Sequence, residues 1–224
     1  MDWEAIRLTA RLATTTMLVL LVLATPLAYW LAFTHRRWKG VVEALVALPL
    51  VLPPTVLGFY TLLAIGPRSP VGRFYASLTG DLLPFSFQGL LIASVLYSLP
   101  FAVQPMMVGF GGVDRRVIEA SRMLGEGRFW TFTRVIGPMS FTGIATAAVL
   151  SFAHTLGEFG VVLMVGGNIP GETRTVSISI YNAVASLDYG AAARTSLFLL
   201  VVSFIVLTIT YSLQRRVWAI WPVG

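Results

Sequence analysis

The sequence has no cysteine and only two histidines among its 224 residues. Disulfide bridges and thiolate chemistry are therefore excluded, and His35 and His154 are too few to form a metal site by themselves. We expect this chain to bind no metal and no other cofactor. Charged residues are also scarce, at 12%, whereas hydrophobic residues reach 56%, above the roughly 45–50% of soluble domains. This composition predicts a membrane domain.

The motifs of common enzyme classes are missing as well. The chain has no glycine-rich phosphate-binding loop, no HExxH sequence, and no Ser, His and Asp arrangement placed for nucleophilic catalysis. We therefore predict that the chain is not an enzyme and that another chain hydrolyses any ATP its function requires.

Five apolar runs are each long enough to cross a bilayer, which takes about 20 residues. They are Thr14–Phe33, Val42–Ile65, Phe87–Phe110, Gly143–Val165 and Ala191–Leu213. The runs are continuous, whereas the strands of a transmembrane barrel alternate in hydrophobicity. The sequence thus predicts an all-α fold with one membrane domain over residues 8–213.

The basic residues indicate the orientation of this domain. They lie beside the apolar runs and not on one soluble face, so we expect the net charge of +6 to reflect contact with the lipid bilayer and not with nucleic acid. With the N-terminus outside, ten of the 16 basic residues fall on the inner side, Arg215 and Arg216 among them. The positive-inside rule favours this orientation, with a cytoplasmic C-terminus. Because Gly224 follows soon after the fifth run, we expect no C-terminal regulatory domain.

The second run contains the sequence LPLVLPP. Its prolines, Pro53 and Pro54 among them, cannot donate helical hydrogen bonds. A broken helix is tolerated in a membrane where it faces other helices or a water-lined cavity. Pro53 and Pro54 are thus candidates for the wall of a transport pathway, and a packed proline kink is the alternative.

The longest polar stretch is the inner connection over residues 111–140. Asp114 can cap a helix whose apolar positions recur at helical spacing. Gly125 and Gly127 then interrupt this helix, and Phe129 belongs to a second short one. We expect a compact helix-turn-helix on the cytoplasmic side, and an interfacial helix on anionic lipid is the alternative.

This stretch resembles the EAA signature of binding-protein-dependent ABC importer permeases. Glu119, Ala120 and Ser121 stand at the Glu-Ala-Ala positions, and Gly125 stands at the glycine. Val135, Gly137 and Pro138 complete the spacing, with two substitutions against the Ile-x-Leu-Pro pattern. The resemblance implies that residues 117–129, including Phe129, form the coupling helices that insert into a groove of an ATPase subunit.

Four further strings resemble the molybdate branch of this family: LPLVLPPTVLGF, ASRMLGEGRF, SFAHTLGEFG and NIPGETRTVSISIY. The resemblance implies a type I importer fold and import of molybdate or the similar tungstate in the plasma (inner) membrane of a prokaryote. It also implies a homodimer with two ATP-binding cassette subunits, which use ATP and Mg, and an external oxyanion-binding protein. The sulfate and thiosulfate permeases are the nearest alternative.

Glu158 lies inside the fourth run, where ionisable groups are costly and commonly functional. His154 shares its helical face. Because an ionised Glu158 would repel an oxyanion, we predict that it is paired or protonated and that it shapes a gate together with Gly157. A structural hydrogen bond between helices is the alternative.

The outer side offers two candidate contacts for the binding protein or the anion, Arg174 and Arg194. Solvated surface charge is the alternative for each. A proton-coupled secondary transporter that uses His154 and Glu158 as a relay is the rival function, although five runs without an inverted repeat disfavour it. A membrane scaffold would leave the prolines of the second run unexplained.

Overall fold

The structure, a computed structural model, describes the backbone of residues 1–220 and the side chains of residues 1–208. All regular structure in this part is helical, so the all-α expectation is confirmed. The helices are α1 (Trp3–Phe33), α2 (Lys39–Val51), α3 (Pro54–Ile65), α4 (Pro70–Thr79), α5 (Phe87–Gly111), α6 (Arg115–Met123), α7 (Arg128–Thr131), α8 (Gly137–Met139), α9 (Phe141–Leu156), α10 (Gly160–Gly166), α11 (Val176–Ala185) and α12 (Tyr189–Ile220), with a π-helical turn over Phe132–Ile136 between α7 and α8. Arg215 and Arg216, counted above on the inner side, lie outside the described side chains.

Three helices within the described part are long and apolar enough to cross a membrane by themselves: α1, α5 and residues 189–208 of α12. Two further candidate spans are bent pairs. Helices α2 and α3 meet at 114°, and the segment from Arg128 to Met139 meets α9 at 75°. The described part of the chain thus has three single-helix candidate spans, or up to five candidates if each bent pair is one span.

Helix α1 begins at Trp3, well before the expected Thr14. Asp2 caps it, because its Oδ1 accepts a hydrogen bond of 3.0 Å from the backbone N–H of Ala5. The first turns contain Arg7 and Arg11, which shorten the apolar run in the sequence without ending the helix. The guanidinium of Arg11 lies 4.4 Å from the ring centroid of Phe87 and so gains a cation–π contact.

Both interrupted runs are broken where the sequence places proline or glycine. Helix α2 ends before an extended Leu52 and Pro53, and Pro54 then occupies the first position of α3. The fourth run, expected as one helix over Gly143–Val165, is divided into α9 and the short α10 by residues 157–159. Each of these two expected spans therefore consists of two helices.

The core forms where α1, α5 and α9 pack side by side. Small residues permit a close approach, since a Cβ on Gly109 would lie 3.1 Å from the Cα of Gly143. Ser140 donates a hydrogen bond of 3.0 Å to the backbone carbonyl of Gly109. The largest buried cluster contains Leu20, Ala24, Ala28, Leu31, Val46, Ala102, Val103, Met106, Phe110, Val113, Ile118, Ile136 and Ala147.

Two helices were not expected from the sequence. The connection from Gly66 to Phe85, which contains no predicted span, contains the ten-residue helix α4, which Ser69 caps and Gly80 ends at φ +78°. Helix α11 follows the NIPGETRT string at Val176. Both are shorter than a span, and this is why a search for runs of about 20 apolar residues does not detect them.

Candidate functional site

The polar connection over residues 111–140 folds as a compact helical unit, hereafter the coupling loop. Asp114 caps α6 through a hydrogen bond of 2.8 Å from the N–H of Arg116. Ile118 is buried in the core, and Ser121 donates to the hydroxyl of Thr131 at 3.3 Å. Glu126 pairs with Arg134 at 2.6 Å. These contacts hold α6 against α7 and the π-helical turn.

The turn between α6 and α7 depends on Gly125. Its φ of +86° lies in the left-handed region, where a side chain is strained. Gly127, two residues later, has φ −69° and ψ 163°, a conformation open to any residue. No atom lies within 4 Å of a Cβ built on either glycine. Backbone geometry, and not space, is thus what requires a glycine at position 125.

An apolar surface projects from this turn. Met123 is 89% exposed, Leu124 is 86% exposed and Phe129 is 69% exposed; we call these three side chains the docking knob. Glu119 and Ala120, at the front of the EAA-like sequence, are also exposed. Ser121 differs, because it is buried and faces Thr131. The first five are free to contact another protein, whereas Ser121 holds the loop together.

The two broken helices pack against each other. A Cβ on Gly160, the first residue of α10, would lie 2.8 Å from the Cβ of Pro54, the first residue of α3. A Cβ on Gly58 would lie at the same distance from the Cβ of Met164. The lack of side chains at the two glycines thus lets α3 and α10 approach closely. Pro53 and Pro54 are exposed at this break.

Glu158 lies in the break between α9 and α10 and is only 4% exposed. Neither of its carboxyl oxygens has a hydrogen-bond partner among the described residues, and the Oγ of Ser94 on α5 is equally unpartnered. The carboxyl group lies near Ser94 and Tyr97. Gly157 precedes it as the exposed C-cap of α9. A buried polar group without partners is unusual and is a common mark of a functional position.

His154 does not pair with Glu158. Its Nδ1 lies 2.9 Å from the Oγ of Ser98, and its ring stacks on Phe101 at a centroid distance of 4.1 Å. Ser98 also contacts the hydroxyl of Thr155 at 3.1 Å. The histidine therefore belongs to a satisfied contact between α5 and α9. This arrangement weakens the idea of a proton relay from His154 to Glu158.

The two outer arginines differ in their surroundings. Arg174 donates from Nε to the side-chain oxygen of Asn168 at 2.7 Å and approaches Asp2 at 3.9 Å. Asn168 in turn bonds Asn182 on α11 through 3.1 Å contacts. Arg174 thus ties the loop after α10 to the start of α1. Arg194 on α12 is exposed and remains available to a partner.

Sequence reasoning missed two sets of residues in these sites. Ser94 and Ser98 on α5 face the break, but single serines in an apolar run carry no signal of that contact. Asn168 and Asn182 lie far apart in the sequence, and only the fold brings them together. Among residues 1–208, the structure contains no group of three or more His, Asp or Glu side chains placed to hold a metal ion.

Comparison with known proteins identifies one family of membrane transport proteins. Residues 24–219 match the family described as "Binding-protein-dependent transport system inner membrane component". The chain is 50% identical to the "Molybdenum transport system permease protein ModB" of Azotobacter vinelandii, over 96% of this chain and 95% of that protein. It is 34% identical to the "Sulfate transport system permease protein CysT" of Synechocystis, over 87% and 68%.

A solved structure has the same fold. It is the bacterial alginate ABC transporter in complex with an alginate pentasaccharide-bound periplasmic protein, with a TM-score of 0.75, 19% identity, and coverage of 96% of this chain and 78% of that chain. The EAA-like spacing and the matched residues therefore point to one family.

Proposed function

Because the chain belongs to the binding-protein-dependent transport system inner membrane components, we propose that it is the permease subunit of an ATP-driven importer and forms the transmembrane pathway for molybdate. Family membership makes it a multi-pass inner-membrane transport component and not an enzyme. We propose that tungstate, a similar oxyanion, uses the same pathway.

The choice of molybdate rests on one comparison. Identity to the molybdenum permease is 50% over nearly the whole chain, whereas identity to the sulfate permease is 34% over a smaller share. The sulfate and thiosulfate reading is thus the second candidate. The proton-coupled reading loses its support, because this family uses a binding protein and His154 is bonded to Ser98.

The partners follow from the family and from the exposed surfaces. The family name includes a binding protein, and the alginate transporter is solved with a periplasmic one. We propose that two copies of this chain assemble with two ATP-binding cassette subunits, which bind the ATP and Mg, and with one oxyanion-binding protein outside. The docking knob suits an ATPase groove, since its apolar side chains are exposed on an otherwise charged loop.

The proposed mechanism is alternating access. Closure of the ATPases on ATP draws the two coupling loops together, and each loop leads directly into α9. The far end of α9 is the break at Gly157 and Glu158. Movement of α9 would therefore shift the contact between α3 and α10, and we assign the gate to this contact. A pathway of this kind needs only weak contacts with the ion, because tight binding would slow its release.

The test is reconstitution of the chain in lipid vesicles with its candidate ATPase and oxyanion-binding protein. We expect molybdate-loaded binding protein to stimulate ATP hydrolysis and to support uptake of labelled molybdate into the vesicles. Tungstate should compete with this uptake and sulfate should not. Uptake driven by a proton gradient without ATP would overturn the importer assignment, and stimulation by sulfate alone would favour the sulfate reading.

A further inference from the structure

A cavity of about 300 Å³ opens between α1 and the second half of the coupling loop. It is lined by Thr25, Pro26, Tyr29, Arg128, Phe129 and Phe132. Three of these side chains are aromatic, and Arg128 is the single charged one. The rings of Tyr29 and Phe132 meet edge to face with centroids 5.6 Å apart, which gives the cavity a firm apolar wall.

The cavity lies near the end of α1, a candidate membrane span. Thr25 and Tyr29 precede the end of α1 at Phe33, so they lie roughly 6–12 Å from that end at about 1.5 Å per residue. The preceding turns of α1 expose Leu18, Val22 and Leu23. An exposed apolar face on a membrane-spanning helix is suited to lipid chains. The cavity is therefore within reach of the acyl chains of the leaflet next to the coupling loop.

Arg128 supplies a charge without a counter-ion. Among the described residues it takes part in no ion pair, and no side-chain hydrogen bond involves it. Its neighbour Arg134, by contrast, is paired with Glu126 and also covers the Trp130 ring. No acidic residue lines the cavity within the part of the chain whose side chains are described. The combination is an apolar pocket with one unpaired guanidinium beside the end of a candidate membrane span.

We propose that this cavity binds one anionic phospholipid of the inner leaflet. The acyl chain would enter between Tyr29 and Phe132, and the phosphate would meet the guanidinium of Arg128, whose planar donors suit phosphate oxygens. Basic pockets between membrane helices on the cytoplasmic side bind anionic head groups in this way. The volume is at the lower end of the roughly 300–1,000 Å³ of ligand pockets, so it holds part of a chain.

The bound lipid would join two parts of the molecule with different roles. Tyr29 belongs to the rigid core, whereas Phe129 belongs to the docking knob. A lipid between them would steady the coupling loop before the ATPase binds. The proposal does not depend on which ion is transported, and its failure would leave the importer assignment untouched.

The experiment uses the chain assembled with its ATPase subunits in phosphatidylcholine nanodiscs. One sample receives a small fraction of an anionic probe, phosphatidylglycerol with a photoreactive acyl chain. A parallel sample receives a neutral probe, phosphatidylcholine with the same photoreactive chain. The crosslinked peptides are identified by mass spectrometry. We expect the anionic probe to label the peptide containing Thr25 and Tyr29 about five-fold more than the neutral probe. Arg128→Gln should abolish the difference, and Arg128→Lys should keep it.

The matched control is Arg116→Gln, which removes an exposed arginine of α6 that does not line the cavity. This variant should keep the preference for the anionic probe. Equal labelling by both probes, or a preference that survives Arg128→Gln, would overturn the proposal. The chain without ATPase subunits is labelled in the same nanodiscs for comparison. Labelling seen with this chain but lost in the assembled complex would do the same, since the cavity would then belong to the protein interface. Thermal unfolding of each variant checks that it is folded.

Discussion

At the scale of single residues, the least satisfied group in the described part of the chain is the carboxyl of Glu158. It is buried with two unpartnered oxygens, in a break between helices that contains a C-cap glycine. A buried polar group without partners costs stability, and an ionised one costs more. A position that lowers stability is expected to serve function, which agrees with the prediction that Glu158 acts at a gate.

The variant Glu158→Gln tests this role. Because the amide keeps the shape and removes the ionisable group, we expect normal assembly with the ATPase, unchanged or raised thermal stability, and uptake that is no longer coupled to ATP hydrolysis. Uptake and ATP hydrolysis are measured in the same vesicles. Ser94→Ala, which changes the neighbouring unpartnered hydroxyl, is the control for a packing effect. Normal coupled uptake by Glu158→Gln would leave the gate hypothesis without support.

The variant Gly125→Ala tests the turn of the coupling loop. Alanine at a φ of +86° is strained by roughly 1–2 kcal/mol, so we expect weaker ATPase association and reduced stimulation. Gly127→Ala adds the same methyl group nearby at an extended φ of −69° and should behave like the unmodified chain. Association is measured by co-purification at increasing salt. If both variants bind the ATPase equally well, the turn geometry does not control coupling.

At the scale of elements, the break between α2 and α3 and the break between α9 and α10 lie at one helix contact. Pro54 starts α3 and Gly160 starts α10, and these two helix starts contact each other. Proline ends the preceding helix because it lacks an N–H, and glycine permits the approach because it lacks a side chain. The half-helices therefore pack closely at this point, and a movement of either one must change this contact.

A side chain at Gly160 should disturb this contact. In Gly160→Val the Cβ would stand 2.8 Å from that of Pro54, and we expect the gap between α3 and α10 to widen, with a loss of stability of about 1–3 kcal/mol and of most uptake. The control is Gly40→Ala in α2, where nothing lies within 4 Å and alanine favours the helix. Thermal unfolding and uptake are compared. Wild-type behaviour of Gly160→Val would exclude a tight contact.

The docking knob makes a separate prediction. Leu124→Ser should leave the isolated chain as stable as before, because Leu124 is exposed, and should lower affinity for the ATPase about ten-fold or more, as expected for loss of a buried leucine at an interface. Ile118→Ser, on the same helix but buried, should instead lower the thermal stability of the isolated chain. Binding and unfolding are measured for both. Unchanged ATPase affinity of Leu124→Ser would place the interface elsewhere.

At the scale of the whole molecule, the coupling loop and the break are the two ends of one continuous path. The loop leads into α9, whose 16 residues extend about 24 Å to Gly157. Helix α9 is packed along α5 through the Gly109 and Gly143 approach, and His154 bonds Ser98 further along. A continuous helix between the proposed docking surface and the proposed gate is suited to transmit movement from an ATPase to a pathway.

The prediction at this scale concerns the number of subunits in the assembled complex. We expect two copies of this chain and two ATPase subunits, because in the proposed importer each copy forms one half of the pathway and supplies one docking knob. The mass of the complex in detergent, measured by light scattering, tests this stoichiometry. Leu124→Ser should reduce the mass to that of the permease without ATPase. A complex with one permease copy would contradict the homodimer.

The sequence is most informative where a signal is local. Run lengths predict the membrane class and the helical fold, and the spacing of Glu119, Ala120 and Gly125 indicates the family through its resemblance to the EAA signature. The sequence is least informative at boundaries. Arg7 and Arg11 shorten the first predicted span, although α1 continues through them. Helices α4 and α11 are too short to be detected in a search for spanning apolar runs.

Composition and the length of the apolar runs by themselves determined that this protein lies in a membrane, because bilayer thickness sets the number of consecutive apolar residues that a span needs. The importer permease family entered only through the resemblance of residues 119–138 and four further strings to that family. Only the tertiary structure decided that α3 meets α10 and that Arg128 borders an apolar cavity. It also decided that His154 bonds Ser98, while the carboxyl of Glu158 has no hydrogen-bond partner among the described side chains. These features join residues far apart in the chain, and the packing of α1, α5 and α9 is what brings them together.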